Sequence, residues 1–342
     1  MSTALNTPAA THAAALDLLP RAGRVGADVC GVHLSGRIEA ETFESIRRAL
    51  CRHKGLFFRA QPHVLPGLTR RHFAAGLLLA LARPAAAQPA DDAARLRGAI
   101  DGPQRGAANR ARDPARHPFE TLRFFGVAPT HRVVEIAPGG GWYTEILAPY
   151  LRDQGQLYAA HYPADAADAE LRGARERFER KLAADPPTYG RVVVGTLPTD
   201  SRGFRDIAPP GGADQVLTFR NVHNWIEAGH LDASLQAFFA VLRPGGVLGV
   251  EEHRAVPGTP LPRIIESGYV PEDLVIQRAQ AAGFQLAGRS EVNANPRDTR
   301  DHPHGVWSLP PTLRGGAVDR ERFLAIGESD RMTLKFVKPL GR

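Results

Sequence analysis

The chain has 342 residues, 43% hydrophobic and 23% charged, which is an ordinary globular composition for one large domain or two ordinary ones. Its net charge of +7 does not mark a nucleic-acid binder: residues 1–71 hold ten Lys/Arg against five Asp/Glu, while the remainder nearly balances at 33 against 31 with no basic run. The only cysteines are Cys30 and Cys51, which excludes a disulfide scaffold or a cysteine-ligated metal in the main body and suits an oxidising compartment.

Residues 1–65 form the first unit. AGRVGADVCGVHLSGRIEAETFESIRRALCRHKGLFFRAQ reads as strand, turn, helix and strand, with Phe43, Ile46 and Leu50 at helical spacing and GLFF as a short buried strand. Residues 13–61 resemble the N-terminal edge of the TauD/TfdA family of iron(II)/2-oxoglutarate dioxygenases, and the resemblance stops there. It implies an iron site on a His-x-Asp pair and a distant His, but nothing of that kind follows in register. His230-Leu231-Asp232 has the spacing and reads instead as a helix N-terminus. The first unit is therefore expected to be a non-catalytic fragment.

Residues 66–90 contain LTRRHFAAGLLLALARPAAAQPA. Arg70-Arg71 precede an apolar run from Phe73 to Ala82, and Ala85-Ala86-Ala87 offers a small-residue cleavage site. That is the layout of a secretory signal, and Thr69-Arg70-Arg71-His72-Phe73 resembles a twin-arginine signal. The apolar run is too short for a permanent membrane span. The alternative is a buried Ala/Leu helix. The expectation is a periplasmic protein if this segment is the true N-terminus, and otherwise a cytoplasmic one.

Residues 91–342 are the functional body. Helices ADDAARLRGAIDG and HPFETLRFFGV precede HRVVEIA, QLYAAHY, RVVVGTL, ADQVLTFR and GVLGVEEH, five short apolar strands alternating with helical stretches such as WYTEILAPYL and ASLQAFFAVL. EDLVIQRAQAAGF then reads as a helix, and QLAGRSEV and RMTLKFVKP as two last strands. The alternation predicts an α/β fold, a Rossmann-like, seven-stranded, doubly wound sheet whose final strand can pair antiparallel. A polar insertion, residues 293–330, separates the last two strands.

The first of these strands runs into Gly139-Gly140-Gly141, a turn of the kind that cradles a nucleotide-like cofactor. A nicotinamide fingerprint would place a third glycine where Thr144 stands and an acid where His161 stands. Glu135 followed by the glycines instead resembles motif I of the class I S-adenosyl-L-methionine (SAM)-dependent methyltransferases, with Ala137 in place of the first glycine. VLRPGGVLGVEEH and LTFRNVHNWI extend the resemblance over residues 115–342. Within that span EIAPGGGWYTEILAPYL, FRNVHNW, NANPRDT and GESDRMTLKFVKP resemble a group of often exported bacterial methyltransferases. The resemblance implies transfer of a methyl group from SAM to a small-molecule or protein acceptor that the sequence does not name. The rival expectations are a non-catalytic exported domain of the same fold and, further off, a nicotinamide oxidoreductase.

The cofactor residues implied are Glu135, Gly139, Gly140, Gly141, Trp142, Thr144, His161 and Asn221. His223, at the expected mouth of the site, is the candidate base, because histidine is the side chain most often used for proton transfer, and Asn224 and His253 are expected beside it. Trp142 and Trp225 are candidate walls offering cation–π contact to a sulfonium, with core packing as the alternative. Asn293, Asn295, Asp298, Asp301, His302 and His304 crowd the insertion without matching a metal-site spacing, so they are expected to form a polar loop over the cleft, and no metal is expected.

Overall fold

The computed structural model describes residues 17–20, 27–30, 45, 46, 49, 56–58, 88–197 and 203–340, which divide between two compact units, Met1–Gln88 and Pro89–Arg342. In the first unit β1 (Asp17–Pro20) pairs antiparallel with β2 (Ala27–Cys30), and β2 pairs parallel with β3 (Leu56–Phe58). Ser45, Ile46 and Ala49, between β2 and β3, are helical, with Ile46 and Ala49 buried. The signal-like run from Leu68 to Ala87 lies outside the described residues. No helix among the described residues is long and apolar enough to cross a membrane.

The second unit is built on one seven-stranded sheet. Its strands are β4 (Arg132–Ile136), β5 (Gln156–His161), β6 (Val193–Thr196), β7 (Ala213–Phe219), β8 (Leu242–His253), β9 (Gln285–Ser290) and β10 (Arg331–Val337). The spatial order is β6-β5-β4-β7-β8-β10-β9. β4, β5, β6, β7 and β8 are parallel, while β10 inserts antiparallel between β8 and β9. All seven strands expected from the sequence are present, and the last does pair antiparallel.

The central strands are near-continuous apolar runs because helices cover both faces of the sheet. Side chains alternate along β4, so Val134 and Ile136 enter one core with Leu235, Phe238 and Val275, while Val133 enters the other with Leu96, Leu122, Phe125 and Ile146. The same alternation sends Glu135 to the Val133 face. The helix Pro118–Phe125 starts on Pro118 and stops at Gly126, whose left-handed φ of 78° lets its N–H bond back to Leu122. The order reverses between β4 and β7, so their carboxyl ends splay apart and leave a crevice, the position where open α/β sheets bind ligands.

Candidate active site

The crevice holds a cavity of about 350 Å³ lined by Glu135, Ala137, Gly139, Gly140, Trp142, Tyr143, Tyr162, Arg220, Asn221 and the arginines of the preceding helices. Ala137 takes a φ of 46°, Gly139 58° and Gly141 82°, so the turn needs left-handed backbone at three places. Glycine meets that at no steric cost, while alanine at 137 does so under strain of about 1–2 kcal/mol. The Ala137 N–H reaches Ala160 O on β5 at 2.8 Å. A Cβ added at Gly139 or Gly140 would meet no atom within 4 Å. Both glycines therefore open onto the cavity.

The turn is braced from behind. His161 Nδ1 accepts from Tyr162 N at 2.8 Å, so Nε2 carries the hydrogen and donates to Gly139 O at 3.3 Å. Lys181 Nζ donates to Gly140 O at 2.8 Å and pairs with Glu145 at 2.7 Å. A trans peptide is planar, so the Gly140 N–H points opposite to the Gly139 carbonyl, away from His161. Burial holds the His161 ring down to about 4 and hence neutral. His161 is fully buried and lies off the cavity wall, where Tyr162 stands instead. Thr144 also lies behind the wall, donating to Glu135 Oε2 at 2.7 Å, and Gly141 packs against Phe178. These three expected cofactor residues thus shape the turn rather than face the cavity. Burial pushes the Glu135 carboxyl up to about 7, against the Thr144 bond and the Lys181 charge.

Trp142 is on the wall, but its ring is occupied: the Arg105 and Arg116 guanidiniums sit 4.8 and 4.7 Å from its centroid, and Nε1 donates to Asn109 O at 3.0 Å. Trp225 is elsewhere, packed on Phe238 at 5.3 Å and lining a second cavity of about 440 Å³ with Ile264 and Leu274. The aromatic wall is instead Tyr143 stacked on Phe219, with centroids 3.6 Å apart.

A group of arginines escaped the sequence reading. Arg112, Arg116 and Arg220 line the cavity, and Arg331 lies beside them. They share two buried carboxylates. Glu328 meets Arg112 at 2.6 Å, Arg116 at 3.1 Å and Arg331 at 3.4 Å. Glu251 meets Arg331 at 2.7 Å and Arg220 at 3.2 Å, and accepts from Tyr143 OH at 3.2 Å. Burial alone would raise both carboxyls, but the arginines outweigh it, lowering Glu251 and taking Glu328 to about 2. Burial and the Arg220 charge push Arg116 the other way, down to about 9. Four guanidiniums against two carboxylates leave excess positive charge beside the cavity. The signals in the sequence are the i, i+4 pair Arg112 and Arg116 ahead of the helix Pro118–Phe125, and Arg220 directly after β7.

Asn221 bridges the crevice, its Nδ2 donating to Ile136 O at 3.1 Å and Thr218 Oγ1 at 3.3 Å. Two residues on, His223 Nδ1 lies 3.0 Å from Glu252 Oε1. Glu252 also accepts from Val222 N at 2.5 Å and His253 N at 2.8 Å. His253 Nδ1 meets Ser329 Oγ at 2.6 Å, and the two imidazole centroids are 5.3 Å apart. Burial, with His223 and Arg220 nearby, puts His253 well below the usual histidine range. The structure thus brings His223 and His253 together, beside the cavity but not on its wall. Asn224 faces solvent, away from them.

The insertion is anchored, not loose. Asn293, Asp298 and His302 are buried. Asp298 accepts from Tyr269 OH at 2.8 Å and Asp330 N at 2.7 Å, and lies 2.8 Å from His302 Nε2. Asn295 Nδ2 donates to Glu328 O at 2.6 Å, while Asp301 and His304 are exposed. Trp307 brings the insertion to within 6.0 Å of the His223 ring, centroid to centroid.

No family model matches the chain. The ubiquinone/menaquinone biosynthesis C-methyltransferase UbiE of Ectopseudomonas mendocina is 30% identical over 141 residues, 41% of this chain and 48% of that protein. The alpha-ketoglutarate-dependent sulfate ester dioxygenase of Pseudomonas putida is 43% identical over 100 residues, 29% of this chain and 32% of that protein. The chain spans less than half the length of either relative. A solved SAM-dependent methyltransferase from Aquifex aeolicus aligns over 72% of this chain and 98% of that one, at 14% identity and a TM-score of 0.44.

Proposed function

We propose that residues 91–342 bind SAM in the crevice and transfer its methyl group to a small-molecule or protein acceptor. The carrying observation is the pair Gly139 and Gly140, where a side chain would project into the cavity at the reversal point of the sheet. Bound there, the cofactor supplies a methyl carbon on a charged sulfonium. The turn admits the close approach of its amino-acid part, and the surplus guanidiniums of Arg112, Arg116 and Arg220 suit its carboxylate. Glu135, on the same wall, suits its ammonium. Thr144 in place of the third glycine of the turn disfavours a nicotinamide cofactor. His223, fixed through Nδ1 by Glu252, is positioned to take a proton from the acceptor at Nε2.

Calorimetry of the full chain with SAM and S-adenosylhomocysteine tests this reading, alongside Gly140→Val. Gly140 lies outside the left-handed region, so the substitution fills the cavity without backbone strain. The expected result is micromolar binding by the unsubstituted protein and at least a tenfold loss in the variant at an unchanged melting temperature. Absence of binding by the unsubstituted protein overturns the proposal.

A further inference from the structure

We infer that His223, Glu252 and His253 form a binding site for one divalent transition cation of the zinc and iron(II) kind. Among the described residues they are the one group of three or more His, Cys, Asp or Glu side chains placed to share an ion, with one ligand atom from each within 4.8 Å of the other two.

The arrangement follows from the fold. β7 and β8 are parallel neighbours, so their carboxyl ends lie side by side. His223 stands in the first turn of the helix Val222–Glu227 that follows β7, and Glu252 and His253 close β8. The 3.0 Å between His223 Nδ1 and Glu252 Oε1 fits a hydrogen bond. It fits equally an ion about 2.1 Å from each atom, with the two ligands at about 90°. Entry of the cation displaces the Nδ1 proton to His223 Nε2 or to solvent. His253 completes the set through Nε2, the nitrogen that its Ser329 bond leaves over.

The supporting shell is also present. Ser329 orients His253, and the backbone N–H groups of Val222 and His253 fix the Glu252 carboxylate while leaving it further lone pairs. Such partners normally hold metal-ligating side chains in orientation. Two imidazoles and one carboxylate select a borderline transition ion over magnesium or calcium, which prefer all-oxygen sites. Three protein ligands leave coordination positions for solvent or substrate. Where the methyltransferase reading also holds, the acceptor would be a hydroxyl or thiol that the cation makes acidic, in place of proton removal by His223.

The test needs no SAM, so its failure is separate from failure of that reading. Full-length protein without a histidine tag, stripped with EDTA, is titrated with Co²⁺ and followed by visible absorption, then by displacement with Zn²⁺. The expected result is one equivalent of Co²⁺ giving d–d bands, displaced by Zn²⁺. His223→Ala and His253→Ala each weaken binding at least 100-fold, and His230→Ala leaves it unchanged. No d–d absorption from the unsubstituted protein overturns the inference without recourse to any variant. Tight binding that survives both substitutions in folded protein overturns it equally.

Discussion

Glu328 offsets part of the positive charge around the cavity, and Glu328→Gln removes its charge at nearly constant volume. Its carboxyl falls from an ordinary value of 4.5 to about 2. At 1.36 kcal/mol per unit this amounts to about 3 kcal/mol of stability at neutral pH. The side chain is only 9% exposed, so solvent screening reduces the figure little. Arg116 moves in the opposite sense, because burial and Arg220 act on it more strongly than Glu328 does. The carboxylate is the better gauge of the loss, since it faces three guanidiniums and the variant leaves them buried with less compensation. A carboxylate held down in the fold contributes fully above its unfolded value and loses the contribution as pH falls from about 4.5 towards 2. The deficit of the variant should therefore be about 3 kcal/mol at pH 7 and shrink by about 1.4 kcal/mol per unit below pH 4.5. Urea denaturation followed by tryptophan fluorescence reports on the right unit, because Trp142, Trp225 and Trp307 are the only tryptophans. A deficit under about 0.5 kcal/mol at pH 7, or one independent of pH, would refute the charge argument.

Two further outcomes are expected. His161 is held down to about 4, so the unfolded chain binds its proton first as pH falls. Stability is then complete above pH 6.5 and lost between 6.5 and 4, by up to about 3 kcal/mol, a slope that denaturation of His161→Gln should lack. Ala137→Gly should relieve the left-handed alanine, raising stability by up to about 1 kcal/mol and the melting temperature with it. An unchanged or lower melting temperature would mean that the turn stores no such strain.

The sheet was legible because each central strand is a short apolar run broken by turn residues, and Gly139 to Gly141 because a triple glycine after a strand has few structural uses. Glu135 was legible from its place in β4. The arginines were not, because a charged side chain reads as solvated until its partner is found. Arg112 and Arg116 find theirs in Glu328, more than 200 positions along the chain. His161 stands at the strand-end position of a ribose-binding acid, but it serves the turn from behind. Asn224, adjacent to His223, was expected to share its site, yet in a helix neighbouring residues point about 100° apart, and it faces solvent.

The longest-range element is the antiparallel entry of β10 beside β8, which pairs Arg331 with His253 and Met332 with Glu252. It places four consecutive residues under the carboxyl ends of the parallel strands. Glu328 holds Arg112 and Arg116, Ser329 orients His253, Asp330 clamps Arg254 and Arg300, and Arg331 meets Glu251. The segment Glu328 to Arg331 thus supports the arginine-lined cavity and the paired histidines at once. The glycine turn can form from residues near it in sequence, but the charge balance of the site requires the last strand to be in register. A one-residue slip of β10 would turn Arg331 to the other face of the sheet and leave Glu251 buried with Arg220 as its remaining ion-pair partner. Truncation before Glu328 should therefore leave the cavity arginines without their shared carboxylate and His253 without its Ser329 bond, even where the five parallel strands still assemble.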